Sequence, residues 1–143
     1  MVKKMIDFLN ATNTNTRHIS EYSSLGLAYI GDVVFEIFVR TYVINKINGN
    51  VNDMDSLSRK YVKASSQANF YHLIYNDCSE EERSVLRRGR NAKIYTKAKH
   101  ASVSDYKHAT GLEALFGYLY LKGEISRLEE IFTFILNEEN NGK

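Results

Sequence analysis

Two acidic residues, Asp32 and Glu113, stand in surroundings that do not suit them. Asp32 lies inside Leu25-Gly26-Leu27-Ala28-Tyr29-Ile30-Gly31-Asp32-Val33-Val34-Phe35-Glu36-Ile37-Phe38-Val39, which is apolar nearly all round. Glu113 lies inside Thr110-Gly111-Leu112-Glu113-Ala114-Leu115-Phe116-Gly117-Tyr118-Leu119-Tyr120-Leu121, where it is the only charge. An ionised carboxylate in such a place is costly unless a cation, a metal or strong hydrogen bonds offset its lost hydration. Each acid has glycine close by: Gly31 beside Asp32, Gly111 and Gly117 around Glu113. Glycine weakens a helix, so its use there points to backbones in close approach. If the two segments pack at that point, the carboxylates converge. A hard divalent cation between them relieves the repulsion. Mg²⁺ typically takes one or two protein carboxylates, with waters and substrate phosphates completing its shell. Such an ion polarises a phosphodiester and activates water. The competing reading is a structural network in which Arg40, Lys63 or another base neutralises the acids.

The elements that position these residues read as helices. There is no Pro in 143 residues, and hairpin signals are few. At 43% hydrophobic residues the chain holds a core, and its length suits one all-α domain. The expected boundaries are an N-terminal extension over 1–19, a helical body, and a polar tail over 138–143. A short helix is expected over 1–9. The central helix should start near Ser23 or Ser24 and run to Lys46, ended by Asn48-Gly49-Asn50 with Gly49 left-handed. Asp53 or Asp55 is expected to cap a second helix, and a third covers 67–76. Ser79-Glu80-Glu81-Glu82 is a capping box for a fourth, ended by Gly89. A partly helical stretch from Arg90 is followed by loop through Ser104. The last pair covers 105–121 and 125–137, hinged at Gly123. The acids Asp32, Glu36 and Arg40's charge interrupt the central run too often for a membrane span. The lone Cys78 excludes an internal disulfide, and the N-terminus does not read as a signal peptide, so a cytoplasmic location is expected.

The net charge of +2 conceals an asymmetry. Between Arg83 and Ser104 there are seven Lys/Arg and no Asp/Glu, in a chain otherwise richer in acids. This points to a polyanionic partner. Arg83, Arg87 and Arg88 lie about one helical turn apart, and Arg90, Lys93, Lys97 and Lys99 extend them. Lys63 is a further candidate, and Tyr95 and His100 suit sugar contacts. Proteins read duplex RNA largely through phosphates and 2′-hydroxyls, as such a surface would. The opposing reading is a solvated basic helix. His18, His72, His100 and His108 show no metal-ligand spacing, though His108 precedes Glu113 closely enough to be considered for orienting a water.

Leu27-Ala28-Tyr29-Ile30-Gly31-Asp32-Val33-Val34-Phe35-Glu36 resembles the signature helix of the ribonuclease III catalytic domain. Gly111 to Leu121 resembles that family's second acidic motif, and the order and spacing agree over most of the chain. The resemblance runs closest to the compact Mini-III subgroup, which has no double-stranded-RNA-binding domain. It implies a Mg²⁺-dependent endoribonuclease (Mn²⁺ substituting) in which Asp32 and Glu113 are the catalytic, metal-binding acids. It further implies cleavage of double-stranded RNA to 5′-phosphate and 3′-hydroxyl ends, a homodimer, and a role in large-subunit ribosomal RNA maturation. Whether a ribosomal protein presents the substrate stays open. Apolar surface on the central helix, with Tyr22, Phe35 and Phe38 nearby, is expected to supply the dimer contact. Ordinary members carry a glutamate four residues before the aspartate and an aspartate three before the glutamate. Here those places hold Ala28 and Thr110, so the number of metal ions stays open, with Glu36 a candidate replacement or an outward structural residue. The alternatives are a non-catalytic RNA-binding protein on the same scaffold and a helical interaction module without RNA.

Overall fold

The computed structural model describes residues 17–93 and 102–141. Among them there are six α-helices and no strand, preceded by a 3₁₀ turn at Ile19–Glu21. The helices are α1 (Ser24–Lys46), α2 (Val51–Val62), α3 (Ala64–Tyr75), α4 (Glu80–Arg90), α5 (Val103–Leu121) and α6 (Ile125–Asn141). None is long and apolar enough to cross a membrane.

The helix starts follow local hydrogen-bond chemistry. Ser23 caps α1 by accepting the Gly26 N–H at 3.0 Å. At α4, Ser79 accepts the Glu82 N–H while the Glu82 carboxylate accepts the Ser79 N–H, the expected capping box. Other boundaries differ from the sequence reading. Asn50, rather than Asp53 or Asp55, caps α2, accepting the Asp53 N–H at 2.9 Å. Ser102 does the same for Asp105, so α5 starts at Val103. An amide or hydroxyl oxygen three residues earlier thus supersedes the acid, which settles into the first turn. Helix α1 ends on extended Ile47 without a left-handed Gly49. Gly123 has a φ of +78° at the turn between α5 and α6, as expected of that hinge. Helix α6 continues to Asn141, through most of the expected tail. The expected N-terminal helix over 1–9 and the stretch around Lys97 and Lys99 lie outside the described residues.

The core centres on α5. From Ala109 to Leu119 every residue but Glu113 is buried, because α1, α3 and α4 all pack against this helix. Phe35 of α1 is fully buried and ties the layers together. Its ring meets Phe116 of α5 edge-on at 5.0 Å, with Phe70 of α3 at 6.3 Å and Phe132 of α6 at 6.1 Å. Each such aromatic contributes about 1.5–3 kcal/mol through burial.

Helix α1 is apolar all round for a different reason. One face (Leu27, Val34, Phe35, Val39, Val43) belongs to the core. The opposite face, Leu25, Tyr29, Val33, Ile37 and Ile44, is exposed, Tyr29 to 81%. Phe35, expected at a dimer contact, has no surface to offer. Phe38 and Tyr22 are only partly exposed and pack against the core.

Candidate active site

The crossing of α1 and α5 is a contact of backbones. A Cβ on Gly31 would overlap the Glu113 carbonyl and lie 2.8 Å from the Gly117 nitrogen. One on Gly117 would overlap the Leu27 carbonyl and lie 3.0 Å from an Ile30 methyl. Only hydrogen fits at either place. Asp32 follows Gly31, and Glu113 supplies the carbonyl against it, so the crossing carries both acids to one spot. Gly111 serves a second approach: a Cβ there would lie 2.7 Å from the Leu86 carbonyl and 2.8 Å from the Tyr71 ring. Gly89 does not end α4. It is buried inside its last turn, where a Cβ would lie 2.8 Å from Gly111 Cα.

The two carboxyl groups lie side by side, near enough to act on each other directly. Asp32 is at the surface, not in the core as its greasy neighbours suggested, and it opens the pair to solvent. Glu113 is largely enclosed. Burial, and then the Asp32 carboxylate beside it, push its pKa up to about 8 from an ordinary 4.5. Among the described residues neither acid forms an ion pair with Lys or Arg. Arg40 is engaged by Glu36, at 2.8 Å across one turn of α1. The acids therefore have no protein cation between them. Two adjacent oxygen donors facing solvent fit a hard divalent ion such as Mg²⁺, which completes its shell with water and phosphate. No cluster of three or more His, Cys, Asp or Glu suited to a metal occurs among the described residues.

The places where ordinary ribonuclease III domains carry the other two acids are closed. Ala28 is buried. Thr110 is also buried, and its hydroxyl donates to the Tyr106 carbonyl at 2.9 Å within its own helix. Glu36 is occupied by Arg40, the outward structural role. A third polar group stands beside the pair: Gln67 of α3, only 4% exposed, whose side chain lies close enough to the Glu113 carboxyl group to draw its pKa down. The sequence reading passed over it. Its signal is a glutamine on the same stripe as Phe70, Tyr71 and Ile74, the buried face of α3.

His108 does not serve Glu113. Its Nδ1 donates to the Ser104 carbonyl at 2.7 Å, and its ring packs edge-on against Tyr71 at 4.7 Å, beside His72 at 4.5 Å. Burial, then His108 and Arg90, hold His72 below its ordinary pKa.

The basic candidates divide. Arg83 donates to the Tyr75 and Asn76 carbonyls at 2.9 Å each, closing the end of α3. Arg87 donates to the Tyr75 hydroxyl at 2.6 Å and pairs with Glu80 at 3.0 Å. Both hold α4 to α3, a use that charge counting does not reveal. Arg88 and Lys93 are exposed, and Arg90 is half-buried. Lys63, exposed in the link between α2 and α3, stands one turn before Gln67.

Residues 25–124 match the ribonuclease III domain model, and the chain belongs to that family, a class of endoribonucleases. Its relatives there include a Mini-ribonuclease 3 from Clostridium tetani, 47% identical over 83% of this chain and 80% of that one. A Mini-ribonuclease 3 from Thermoanaerobacter is 45% identical over 92% of this chain and 93% of its own length, and one from Staphylococcus aureus is 38% identical over 90% and 97%. The crystal structure of a Fusobacterium nucleatum protein superposes with a TM-score of 0.78 at 30% identity, covering 85% of this chain and 99% of that one.

Proposed function

We propose that this chain is a Mg²⁺-dependent endonuclease of double-stranded, structured RNA, with Asp32 and Glu113 as its catalytic acids and Mn²⁺ as a substitute ion. The observation that carries the reading is the glycine-enforced crossing, which brings two carboxyl groups together without a protein cation between them. The bound ion supplies Lewis-acid polarisation of the phosphate and activation of water. Asp32, at the surface, and Glu113, behind it, would together hold the ion. Glu113 must release its proton to join, so ion binding is coupled to proton loss. Hydrolysis breaks the bond from phosphorus to the 3′-oxygen, leaving a 5′-phosphate and a 3′-hydroxyl.

The duplex is held through its phosphates by Lys63, Arg88, Arg90 and Lys93, with Lys97 and Lys99 as further contacts and Arg83 and Arg87 contributing what charge their structural bonds leave. A duplex has two strands and the chain has one acid pair, so the working form is a two-fold dimer. The exposed stripe Leu25, Tyr29, Val33 and Ile37 on α1 supports this, since an apolar row of that length normally has a covering partner. Asp32 borders the stripe, one residue before Val33 and three after Tyr29. Covering it with a second copy brings two acid pairs toward one groove. The natural substrate is a structured precursor of large-subunit ribosomal RNA in the cytoplasm, a reading that rests on the family likeness.

Asp32→Asn and Glu113→Gln keep shape and remove charge. Each should lower cleavage of a plain RNA duplex in Mg²⁺ by at least about 100-fold, the scale on which essential charge-stabilising groups act, while a gel-shift assay shows binding retained. Undiminished cutting by either variant would falsify the assignment. A parent chain that binds duplex but never cuts it, in Mg²⁺ or Mn²⁺, would favour a binding protein on this scaffold.

A further inference from the structure

We infer that Gln67 is a third member of the acid centre, a positioning residue that reaches from α3 to hold the Glu113 carboxyl group toward Asp32; this rests on the reading of those two acids as metal ligands. Three observations converge on it. First, Gln67 is one of three buried polar or charged residues among those described, with Glu82 and Thr110. Glu82 is bonded by Arg127 and Ser79, and Thr110 by its own helix. Gln67 is the one whose side chain lies beside a functional group, the Glu113 carboxyl. Second, the packing of α3 on α5 fixes its register. Tyr71 presses on Gly111, one turn beyond Gln67, and His72 meets His108, so the two helices run antiparallel. Gln67 is thereby brought level with Glu113. Third, the neighbouring places that hold acids in ordinary family members are closed by Ala28 and Thr110. Glu113 thus lacks a companion acid on its own helix, and Gln67 supplies the polar contact from a third one.

The amide suits the task. Its NH₂ donates, which favours the ionised carboxylate over the acid. Hydrogen bonds of this kind orient a ligating carboxylate, and removing them typically weakens metal binding or activity by about 10–100-fold. A glutamine serving packing alone would lower stability when replaced, but would leave ion affinity and its pH dependence where they were.

The test is calorimetric titration of Mn²⁺ into the RNA-free chain, comparing the parent with Glu113→Gln, Gln67→Leu and Gln67→Met, each checked for cooperative melting. The expected result is loss of tight binding in Glu113→Gln and a roughly 10–100-fold weaker Mn²⁺ affinity in both Gln67 variants. Gln67 variants that bind Mn²⁺ within about twofold of the parent would overturn the inference and leave the acid pair standing. If Glu113→Gln binds as the parent does, the metal-ligand reading falls and this inference falls with it. A measurement on the unmodified chain guards against variants that do not fold. The Gln67 side-chain amide resonances should shift when Mg²⁺ is added, and amide signals that stay in place while Mg²⁺ moves those around Asp32 would equally refute it.

Discussion

Glu113 is held in a state that costs the folded protein something. Its pKa of about 8, raised by burial and by Asp32, stands well above the ordinary 4.5. Below pH 4.5 the carboxyl is neutral folded or unfolded, and folding is unaffected. Between 4.5 and about 8 the unfolded chain has lost this proton while the folded chain keeps it, so stability declines as pH rises. Above about 8 the penalty is constant. In metal-free buffer Glu113→Gln should therefore be more stable than the parent at pH 8.5, by roughly 2–5 kcal/mol, with the gap closing toward pH 4.5. Melting curves across that range check the sign. Both acids and their convergence were legible in the sequence, because glycine beside a carboxylate in an apolar helix has few other uses. Gln67 was not, since a neutral polar residue within a helical period announces nothing until the facing helix is known. The double duty of Arg83 and Arg87 was hidden for a similar reason: their partners are main-chain carbonyls and a tyrosine hydroxyl of α3.

Among the elements, α4 is tied to α6 by a largely buried ion pair. Arg127 of α6 grips the Glu82 carboxylate with two bonds, at 2.8 and 2.9 Å, and donates to the Asp77 carbonyl at 2.9 Å. Glu82 is also the third residue of the capping box, so one carboxylate both starts α4 and ties it to α6. Arg127→Met should leave that buried charge uncompensated and cost about 2–4 kcal/mol, somewhat under the range for fully buried pairs because Arg127 keeps some exposure. Urea unfolding measures it, and a loss under about 0.5 kcal/mol would show the pair to be decorative. Among the described residues the order and number of helices followed from apolar period and caps, but starts slipped by a few residues where Asn or Ser outcompeted a following Asp. Longer-range ties such as Arg127 to Glu82 leave no local trace, so the sequence reading missed the clamp.

For the whole molecule the telling feature is the division of α1 into a core face and an exposed apolar face. The sequence shows a helix greasy on all sides, read as a core helix with apolar surface left for a dimer contact, but without saying which side is which. In fact α5 is the helix enclosed nearly all round, while α1 keeps a row from Leu25 to Ile37 at the surface. Periodicity has no means of telling a side buried by its own fold from one awaiting a second copy. Ile37→Glu places a charge in that row, away from the acid pair. It should halve the mass seen by light scattering at micromolar concentration and sharply reduce duplex cleavage, with the helical circular dichroism unchanged. An unaltered mass would argue against this face as the subunit contact.

The crossing at Gly31 and Gly117 also bears on how this protein fails. Main-chain atoms in direct contact do not drift apart gradually as side chains elsewhere repack; the spacing of the two acids holds until α1 and α5 separate. Damage to the distant core should thus thin the population of working molecules without altering the chemistry of those that survive. Turnover would track the folded fraction in a straight line, as with a switch that is either closed or open.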